Sequence, residues 1–358
     1  PVYFILVCAI LSLMTNGLNI IVIGLGHQAL EDHLPAIVES NKYNLVGVVD
    51  IDRDHAVGVS EKYNTEYAVS VSEMLSKLPF KPDVALIATP HSAYLEIIEE
   101  LTENKINIIK EKPFATSVNE ALRIIDLIKK SNVSIFVTLQ RRFNPIFASV
   151  PQLIKKIGVL YAIEAKYTMN ISKLDSDWRA NSRIALGGAL SDMGYHFIDL
   201  LVWYFGLPIS VLCKFSTNNR NGQIYDVEDT AFLEFCFSDH GRDILGNLVV
   251  SRVYPEKNEC LKIYGRSGCI SLKRGDLRRL DVDGNEIEHL MRIGSWSSAI
   301  IDQLDEFADR IMDGTKKGEV CNEYLKQVAF LEAARLSAKS NQQTFPNDYF
   351  ETMKGQMS

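Results

Sequence analysis

The sequence Leu18-Asn19-Ile20-Ile21-Val22-Ile23-Gly24-Leu25-Gly26-His27-Gln28-Ala29 decides the fold of the first half of the chain. It begins with an apolar, β-branched run, which is typical of a buried parallel strand. The Gly-x-Gly-x-x-Ala pattern then lies where the strand turns into a helix. Gly24 permits a tight turn, and Gly26 lets a pyrophosphate approach the backbone at the positive end of that helix. The stretch therefore predicts a dinucleotide-binding turn that includes Leu25 and His27.

A single acidic residue strengthens this prediction. Residues 44–49 are predicted to form a second strand, which ends at Asp50. An acid at this strand end binds the ribose diol of NAD and repels the additional phosphate of NADP. Arg53 lies three residues further on and can accept that phosphate, so the sequence favours NAD and leaves NADP open. Without the glycine pattern, Asp50 would be an ordinary turn or helix-cap residue.

Strands and helices continue to alternate after Asp50. Strands are predicted at 83–89 and 106–109, and the alternation indicates a parallel sheet with helices on both faces. Ligands bind beyond the carboxyl ends of such strands. Thr89-Pro90 and Glu111-Lys112-Pro113 follow two of these ends. All of these residues except Pro113 are predicted to bind the cofactor, and Lys112 supplies a cation there. The alternative for Lys112 is an ordinary solvated lysine.

The pattern changes beyond residue 140, and we predict a nucleotide-binding domain at 18–140 and a second α/β domain at 141–345. Successive strands joined by turn signals indicate a large, mostly antiparallel sheet. With few helices left to cover both faces, one face is expected to stay open and to form a homodimer or homotetramer interface. Two helices are expected to close the chain, one with an apolar stripe from Ile300 to Ile311 and one at about 322–339.

The central stretch of the second domain runs from Gly187-Gly188 to Asp199. It predicts a helix that ends at Gly206, with a core-facing stripe at Met193, Phe197, Leu200 and Tyr204. Asp192 and His196 are four residues apart, so both side chains leave one face of this helix about one turn apart. A carboxylate and an imidazole near a double glycine suit proton transfer. A histidine that is merely hydrogen-bonded in the core is the alternative.

Composition excludes several classes of protein. The 358-residue chain has a net charge of −7 and no basic block, which argues against a nucleic-acid partner. Its six scattered cysteines form no Cys-x-x-Cys pair, which favours reduced thiols in the cytoplasm over disulfides or a zinc site. Residues 1–13 are apolar but too short to span a bilayer, so no membrane partner is expected. We predict that they lie outside the fold, with Met14 close to the natural start.

Taken together, these motifs resemble the glucose-fructose oxidoreductase, inositol dehydrogenase and rhizopine catabolism (Gfo/Idh/MocA) family. The resemblance covers roughly Leu18 to Ser340 and is most specific where Glu111-Lys112-Pro113 and the Gly187–Asp199 block occur together. His33-Leu34-Pro35-Ala36, Arg142-Phe143 and Trp178-Arg179 also match. Two positions depart from the family pattern, Ala29 in place of the third glycine and Tyr94 in place of a histidine.

The resemblance implies a Rossmann domain, NAD or NADP, no metal, and hydride transfer at a carbon of a sugar, sugar derivative or cyclitol. It implies that Lys112, Asp192 and His196 are catalytic. Asp192 and His196 are also expected to contact the substrate, together with Arg142, Trp178 and Arg179. Two alternatives stay open, because the family also includes an NAD-dependent glycosidase branch and non-catalytic NAD-binding regulators.

Overall fold

The computed structural model describes residues 17–273, 275–291, 295–315 and 317–357. The apolar residues 1–13 and Met14, whose place in the fold was predicted, lie outside the described residues. Within these limits the chain forms two compact units. The first unit contains the described residues up to Lys112, together with 123–140 and 296–320. The second contains 113–122, 141–295 and the described residues from Cys321 onward.

Six parallel strands form the sheet of the first unit: β1 (Leu18–Ile23), β2 (Tyr43–Val49), β3 (Glu66–Ala68), β4 (Val84–Ile87), β5 (Asn107–Lys110) and β6 (Ile135–Val137). Their spatial order is β3-β2-β1-β4-β5-β6. This doubly wound order reverses direction between β1 and β4, and a ligand crevice forms at such a switch point, outside the carboxyl ends of the strands. The predicted Rossmann-type parallel sheet is confirmed.

Eleven α-helices are present in the described part of the chain: α1 (Leu34–Glu39), α2 (Arg53–Tyr63), α3 (Val71–Lys77), α4 (Tyr94–Glu103), α5 (Val118–Ser131), α6 (Pro145–Ile154), α7 (Ser182–Ala185), α8 (Tyr195–Phe205), α9 (Trp296–Met312), α10 (Asn322–Ser340) and α11 (Pro346–Met357). Side-chain caps define some of their starts. The Asp52 carboxylate accepts the His55 N–H before α2, and the Ser70 hydroxyl accepts the Glu73 N–H before α3.

Helix α9 belongs to the first unit, although it follows the second unit's sheet in the sequence. Its apolar stripe, which includes Ile300, Leu304 and Phe307, packs into the same buried cluster as Ile20 and Val22 of β1. The division at residues 140 and 141 had assigned this helix to the second domain. The stripe correctly predicts a buried helix face, but periodicity does not specify which sheet covers it.

Eight strands form the sheet of the second unit: β7 (Leu160–Asn170), β8 (Ser210–Ser216), β9 (Thr230–Asp239), β10 (Arg242–Ser251), β11 (Val253–Gly265), β12 (Gly268–Lys273), β13 (Asp276–Leu280) and β14 (Glu286–Met291). Their order is β14-β13-β12-β11-β7-β10-β9-β8, and every neighbouring pair is antiparallel except β7 with β10. The predicted large, mostly antiparallel sheet is confirmed.

The two faces of this second sheet differ in polarity and exposure. Phe235 and Phe237 on β9 are buried, and they contact Phe330 of α10 and Phe205 of α8 respectively. On the opposite face, Phe232 is 47% exposed and Leu245 is 64% exposed. Helices therefore cover one face of the sheet, while the other presents apolar side chains to solvent. No helix in the described part of the chain is both long and apolar enough to cross a membrane.

Candidate functional site

The glycine-rich turn after β1 has one position that requires glycine and one that is open. Gly24 has φ +86°, and a Cβ there would lie 2.8 Å from the backbone of Ala88 and Thr89. Only glycine fits this conformation and this close approach. A Cβ at Gly26, by contrast, would have no neighbouring atom within 4 Å. The protein itself leaves the space beside Gly26 clear, as a site for a pyrophosphate requires.

Asp50 lies beside the same turn. One carboxylate oxygen accepts the Leu25 N–H at 2.8 Å, and the other accepts the Asp52 N–H at 3.0 Å. On the other side of Leu25, His55 Nε2 lies 2.8 Å from the Leu25 carbonyl oxygen. The acid at the end of β2 is therefore held next to the glycines, where a ribose diol would meet it. Arg53, the first residue of α2, is exposed.

Thr89 supplies a direct test of whether a dinucleotide fits here. Its hydroxyl oxygen is buried and has no hydrogen-bond partner in the described structure. A buried hydroxyl normally has a partner, because leaving it unpaired costs free energy. Thr89 lies against Gly24 and is the second residue after β4, so a polar ligand in the crevice would reach this part of the sheet edge. The open Gly26 and the unpaired Thr89 both fit NAD, with Pro90 following Thr89 in the same loop.

Glu111, which was predicted to bind the cofactor, accepts three hydrogen bonds from the protein. One carboxylate oxygen accepts hydrogen bonds from His33 Nε2 at 2.7 Å and from the Thr138 hydroxyl at 2.8 Å. The other accepts the backbone N–H of Lys112 at 3.2 Å. Burial alone would raise the pKa of Glu111, but the hydrogen bond and charge of His33 and the charge of Lys112 hold it below its ordinary value. Glu111 therefore fixes the backbone that leads into Lys112.

Lys112 itself is half-buried. The fully buried Lys110, two residues earlier, places its ammonium 3.8 Å from the ring centroid of Tyr94. Tyr94 is the residue that replaces the family's usual histidine, and here its ring forms a cation–π pair with Lys110. The change at Tyr94 is visible in the sequence, but its partner Lys110 could not be predicted, because nothing local connects the two positions.

In the second unit, the predicted central helix begins with a π-turn at Leu190–Gly194 and continues as α8. The helix ends at Phe205, and Gly206 follows with φ +81°, as its stop signal predicted. Most of the first two turns is buried, whereas Asp192 and His196 are both partly exposed. They therefore share the accessible face of the helix. Single π-turns inside helices are frequent at functional sites.

Two arginines surround the Asp192 carboxylate. Arg252, whose side chain is only 3% exposed, donates from Nη2 to Oδ2 at 2.9 Å, and Arg179 Nε lies 3.5 Å from the same oxygen. The Arg179 guanidinium also stacks on Trp178, 4.6 Å from the ring. The structure thus brings Arg179 to Asp192, with Trp178 beside Arg179, and their contact with a substrate stays a prediction. Arg252 was missed, because it lies 60 residues from Asp192 in the sequence.

The double glycine lies in close contact with other parts of the second unit. A Cβ on Gly187 would overlap Ser191 and Arg335, and one on Gly188 would overlap Glu228. Both glycines are therefore required by protein side chains within the second unit. Burial raises the pKa of Glu228, while backbone N–H groups and Arg335 oppose that shift.

Arg142, which was predicted to contact the substrate, pairs with two carboxylates of the second unit. It donates to buried Asp199 from Nε at 2.9 Å and from Nη2 at 2.6 Å, and it bonds Glu323 through Nη1. Burial raises the pKa of Asp199, and Arg142 opposes the shift. Since the guanidinium is already used on three of its nitrogens, we leave Arg142 out of the candidate site. Within the described residues no group of histidine, cysteine and acidic side chains could hold a metal ion.

The sequence is similar to those of known oxidoreductases. The chain is 28% identical over 200 residues to "Oxidoreductase P35" of Formosa agariphila, a match that covers 54% of this chain and 62% of that protein. It is 27% identical over 185 residues to a trans-1,2-dihydrobenzene-1,2-diol dehydrogenase of Xenopus tropicalis, covering 51% and 54%. Both matches thus span less than two thirds of the relatives' own length.

Solved structures share the fold over nearly the whole chain. A levoglucosan dehydrogenase in complex with NADH and levoglucosan has a TM-score of 0.79 at 20% identity, covering 92% of this chain and 99% of that one. An aldose-aldose oxidoreductase from Caulobacter crescentus, complexed with glycerol, has a TM-score of 0.81 at 20% identity with the same coverage.

Two family descriptions match consecutive parts of the sequence. The NAD-binding Rossmann-fold domain of the oxidoreductase family matches residues 18–139, and the GFO/IDH/MocA C-terminal domain matches residues 148–271. Together they cover well over half of the chain, in the order in which the glycine turn and the Asp192–His196 helix occur. The chain is a member of the GFO/IDH/MocA family of NAD-binding oxidoreductases.

Proposed function

We propose that the protein is an NAD-dependent dehydrogenase or reductase that transfers a hydride to or from a hydroxyl-bearing ring carbon of a sugar, a sugar derivative or a cyclitol. The observation that carries the proposal is the shared accessible face of Asp192 and His196 on a helix whose first two turns are otherwise buried. Proton transfer needs such a pair, whereas binding of NAD alone does not. The named substrates of two structural neighbours, an aldose and levoglucosan, support the substrate class.

The residues at the carboxyl edge of the first sheet would bind the cofactor. Gly24 and Gly26 would accommodate the pyrophosphate, with Leu25 and His27 in the same turn, and Asp50 would accept the ribose hydroxyls. Arg53 is exposed and would be available to the additional phosphate of NADP. Thr89 would pair its free hydroxyl with a polar atom of the ligand. Bound NAD supplies hydride acceptance at C4 of its nicotinamide.

Each catalytic residue has a separate role in the oxidation direction. Neutral His196 takes the proton of the substrate hydroxyl as the hydride leaves the same carbon. Asp192, with two guanidinium groups on one oxygen, anchors the site and accepts a hydrogen bond. Lys112 stabilises the developing alkoxide through its charge. Trp178 and Arg179 contact the hydroxylated ring, the tryptophan by its face and the arginine by its N–H groups.

The test is a substrate screen followed by nicotinamide absorbance. Sugars, sugar phosphates, nucleotide sugars and cyclitols are supplied with NAD, and their keto forms with NADH. We expect net NAD reduction or NADH oxidation with at least one member of these groups. Elimination of a leaving group without net change in NAD would indicate the glycosidase alternative. Tight NAD binding with no turnover of any kind would indicate a regulator.

A cytoplasmic location belongs to the same proposal. The cysteines in the described part of the chain, Cys213, Cys236, Cys260, Cys269 and Cys321, are free thiols. Unpaired cysteines fit a reducing compartment, where disulfides rarely persist. Localisation of a tagged full-length protein by microscopy or fractionation tests this part independently of the activity.

A further inference from the structure

Two charged side chains from distant parts of the second unit fill the space beside the double glycine. Arg335 lies on α10, and Glu228 lies just before β9. Arg335 and Ser191 occupy the space that a Cβ on Gly187 would need. The carbonyl and carboxylate of Glu228 occupy the space that a Cβ on Gly188 would need. In each case a Cβ would come closer than van der Waals contact allows, so both glycines are needed for these two residues to pack where they do.

Glu228 holds the N-terminal end of the helix that contains Asp192 and His196. Its carboxylate accepts the N–H of Gly188 at 2.9 Å through one oxygen and the N–H of Leu190 at 3.1 Å through the other. Its backbone carbonyl accepts the N–H of Ala189 at 2.8 Å. Three consecutive N–H groups at a helix start are thus bound by one residue that is 38 positions away from Leu190. A negative charge is favoured at this end of a helix.

Arg335 joins three segments through one guanidinium. It donates to the Leu186 carbonyl, to the Thr116 carbonyl and, at 2.9 Å, to the Ser191 hydroxyl. Thr116 lies four residues after Lys112 in the sequence, and Ser191 directly precedes Asp192. Leu186 has φ +54° and ψ +27°, a left-handed conformation that costs a leucine free energy. The bond from Arg335 to its carbonyl helps to hold this turn in place.

We propose that Arg335 and Glu228 are positioning residues that set where the Asp192–His196 helix begins, and thereby the direction in which both side chains point. The proposal rests on the proposed function, because it assumes that Asp192 and His196 perform the chemistry. Neither residue needs to touch the substrate. Their role is to fix Gly188, Leu190 and Ser191, the backbone from which the reactive side chains project.

The test compares Arg335→Met, Arg335→Lys and Glu228→Gln with the parent. Arg242→Met, at an exposed arginine of the same unit, is the matched control. We expect Arg335→Met and Glu228→Gln to lower kcat by about 10- to 100-fold, since small misplacements of catalytic groups have effects of that order. The Kd for NAD should stay within about twofold of the parent. Arg335→Lys keeps the charge and should recover part of the loss, and added guanidinium should partly rescue Arg335→Met.

Thermal unfolding distinguishes positioning from a purely structural role. Activities are compared well below the Tm of every variant, so that all molecules are folded. A lower Tm with a parental kcat in both Arg335→Met and Glu228→Gln would overturn the proposal. If Arg335→Met does not fold, Arg335→Lys and Glu228→Gln answer the same question.

Hydrogen exchange separates failure of this proposal from failure of the proposed function. If the parent turns over no substrate, amide exchange is measured over residues 187–196 in the parent and in Glu228→Gln. Faster exchange confined to this segment supports the positioning role, because the glutamine amide offers one acceptor oxygen where the carboxylate offers two, so that one of the N–H groups of Gly188 and Leu190 loses its acceptor. Unchanged amide exchange over residues 187–196 overturns the positioning role, whether or not the protein proves to be a dehydrogenase.

Discussion

At the scale of single residues, Gly26 separates cofactor binding from folding. The φ angle of Gly26 lies outside the left-handed region, and a Cβ there would meet no other atom. Gly24, by contrast, has a left-handed φ, and a Cβ there would overlap neighbouring backbone atoms. Gly26→Val should therefore fold normally but lose NAD affinity by more than about tenfold, or roughly 1.4 kcal/mol, because the side chain occupies the pyrophosphate position. Calorimetric titration with NADH and thermal unfolding measure the two effects.

Gly24→Val is the matched comparison, and we expect it to unfold at a clearly lower temperature, since strain and overlap act on the protein itself. A Gly26→Val protein that bound NADH as tightly as the parent would contradict the assignment of the glycine turn.

His196 and Lys112 should act in chemistry rather than in cofactor affinity. General acid–base catalysis is worth about 10²–10⁴ in rate, so His196→Asn and Lys112→Ala should each lower kcat/KM by at least about 100-fold. His240→Asn and Lys155→Ala, at exposed positions of the second unit, serve as controls. Near-normal turnover of a verified substrate by either variant would remove that residue from the mechanism. Loss of NAD binding in both would indicate a structural role.

The sequence predicted some of these residues and missed others for a consistent reason. Asp192 and His196 share one helix, and Lys112 belongs to a short motif, so local patterns revealed them. Arg252 and Glu228 meet the same helix from 60 and 38 residues away, and no spacing rule connects such positions. The ion pairs of Arg142 could not be predicted either, because its partners Asp199 and Glu323 are distant in sequence.

At the scale of elements, Glu111 connects the loop that follows β5 to two other segments by hydrogen bonds to His33 and Thr138. The pKa of Glu111 in the folded protein lies below its ordinary value, so the ionised form of Glu111 stabilises the fold. This contribution is complete above about pH 4.5 and is lost as the pH falls through the lower native pKa. Glu111→Gln should therefore reduce the unfolding free energy by roughly 1–3 kcal/mol at pH 7, and by progressively less as the pH falls below about 4.5.

Urea unfolding of Glu111→Gln and the parent at several pH values measures this difference. Glu99→Gln is the control, because its ion pair with Arg123 is largely exposed and should contribute little. Equal losses for Glu111→Gln at pH 7 and below pH 4 would show that Glu111 acts through packing and not through its charge.

Element boundaries were predicted well where an apolar run was clear. Strand β1 begins and ends as expected. Strand β14 was missed because Glu286–Met291 mixes acids with apolar residues at a half-exposed sheet edge. Helix α11 was missed because its pattern is short and includes Gly355. Both elements depend on neighbouring strands or helices more than on their own residues.

At the scale of the whole molecule, self-association remains a prediction. The uncovered face of the second sheet exposes Phe232, which pairs with Val249, and Leu245 further along the same face. Large apolar side chains exposed on an uncovered sheet face indicate an interaction site. We expect the parent to be a dimer or tetramer by light scattering, and Leu245→Asp combined with Phe232→Asp to weaken that assembly.

Ile224→Asp is the control, because Ile224 is 89% exposed but lies in a loop. A monomeric parent across a wide concentration range would exclude the predicted assembly. Unchanged association in the double variant would exclude this face as its interface.

Helix α9 packs on the sheet of the first unit, although the ribosome synthesises the second unit's sheet before it. Ile300, Leu304 and Phe307 complete a core whose strands were synthesised more than 150 residues earlier. At about 5–20 residues per second, a ribosome needs roughly 8–30 s to cover that distance. Throughout that interval the nascent nucleotide-binding sheet lacks its last covering helix, and its apolar face is open to chaperones. Ribosome-bound chains that end near residue 295 should therefore be captured by them more readily than chains extended well past Met312.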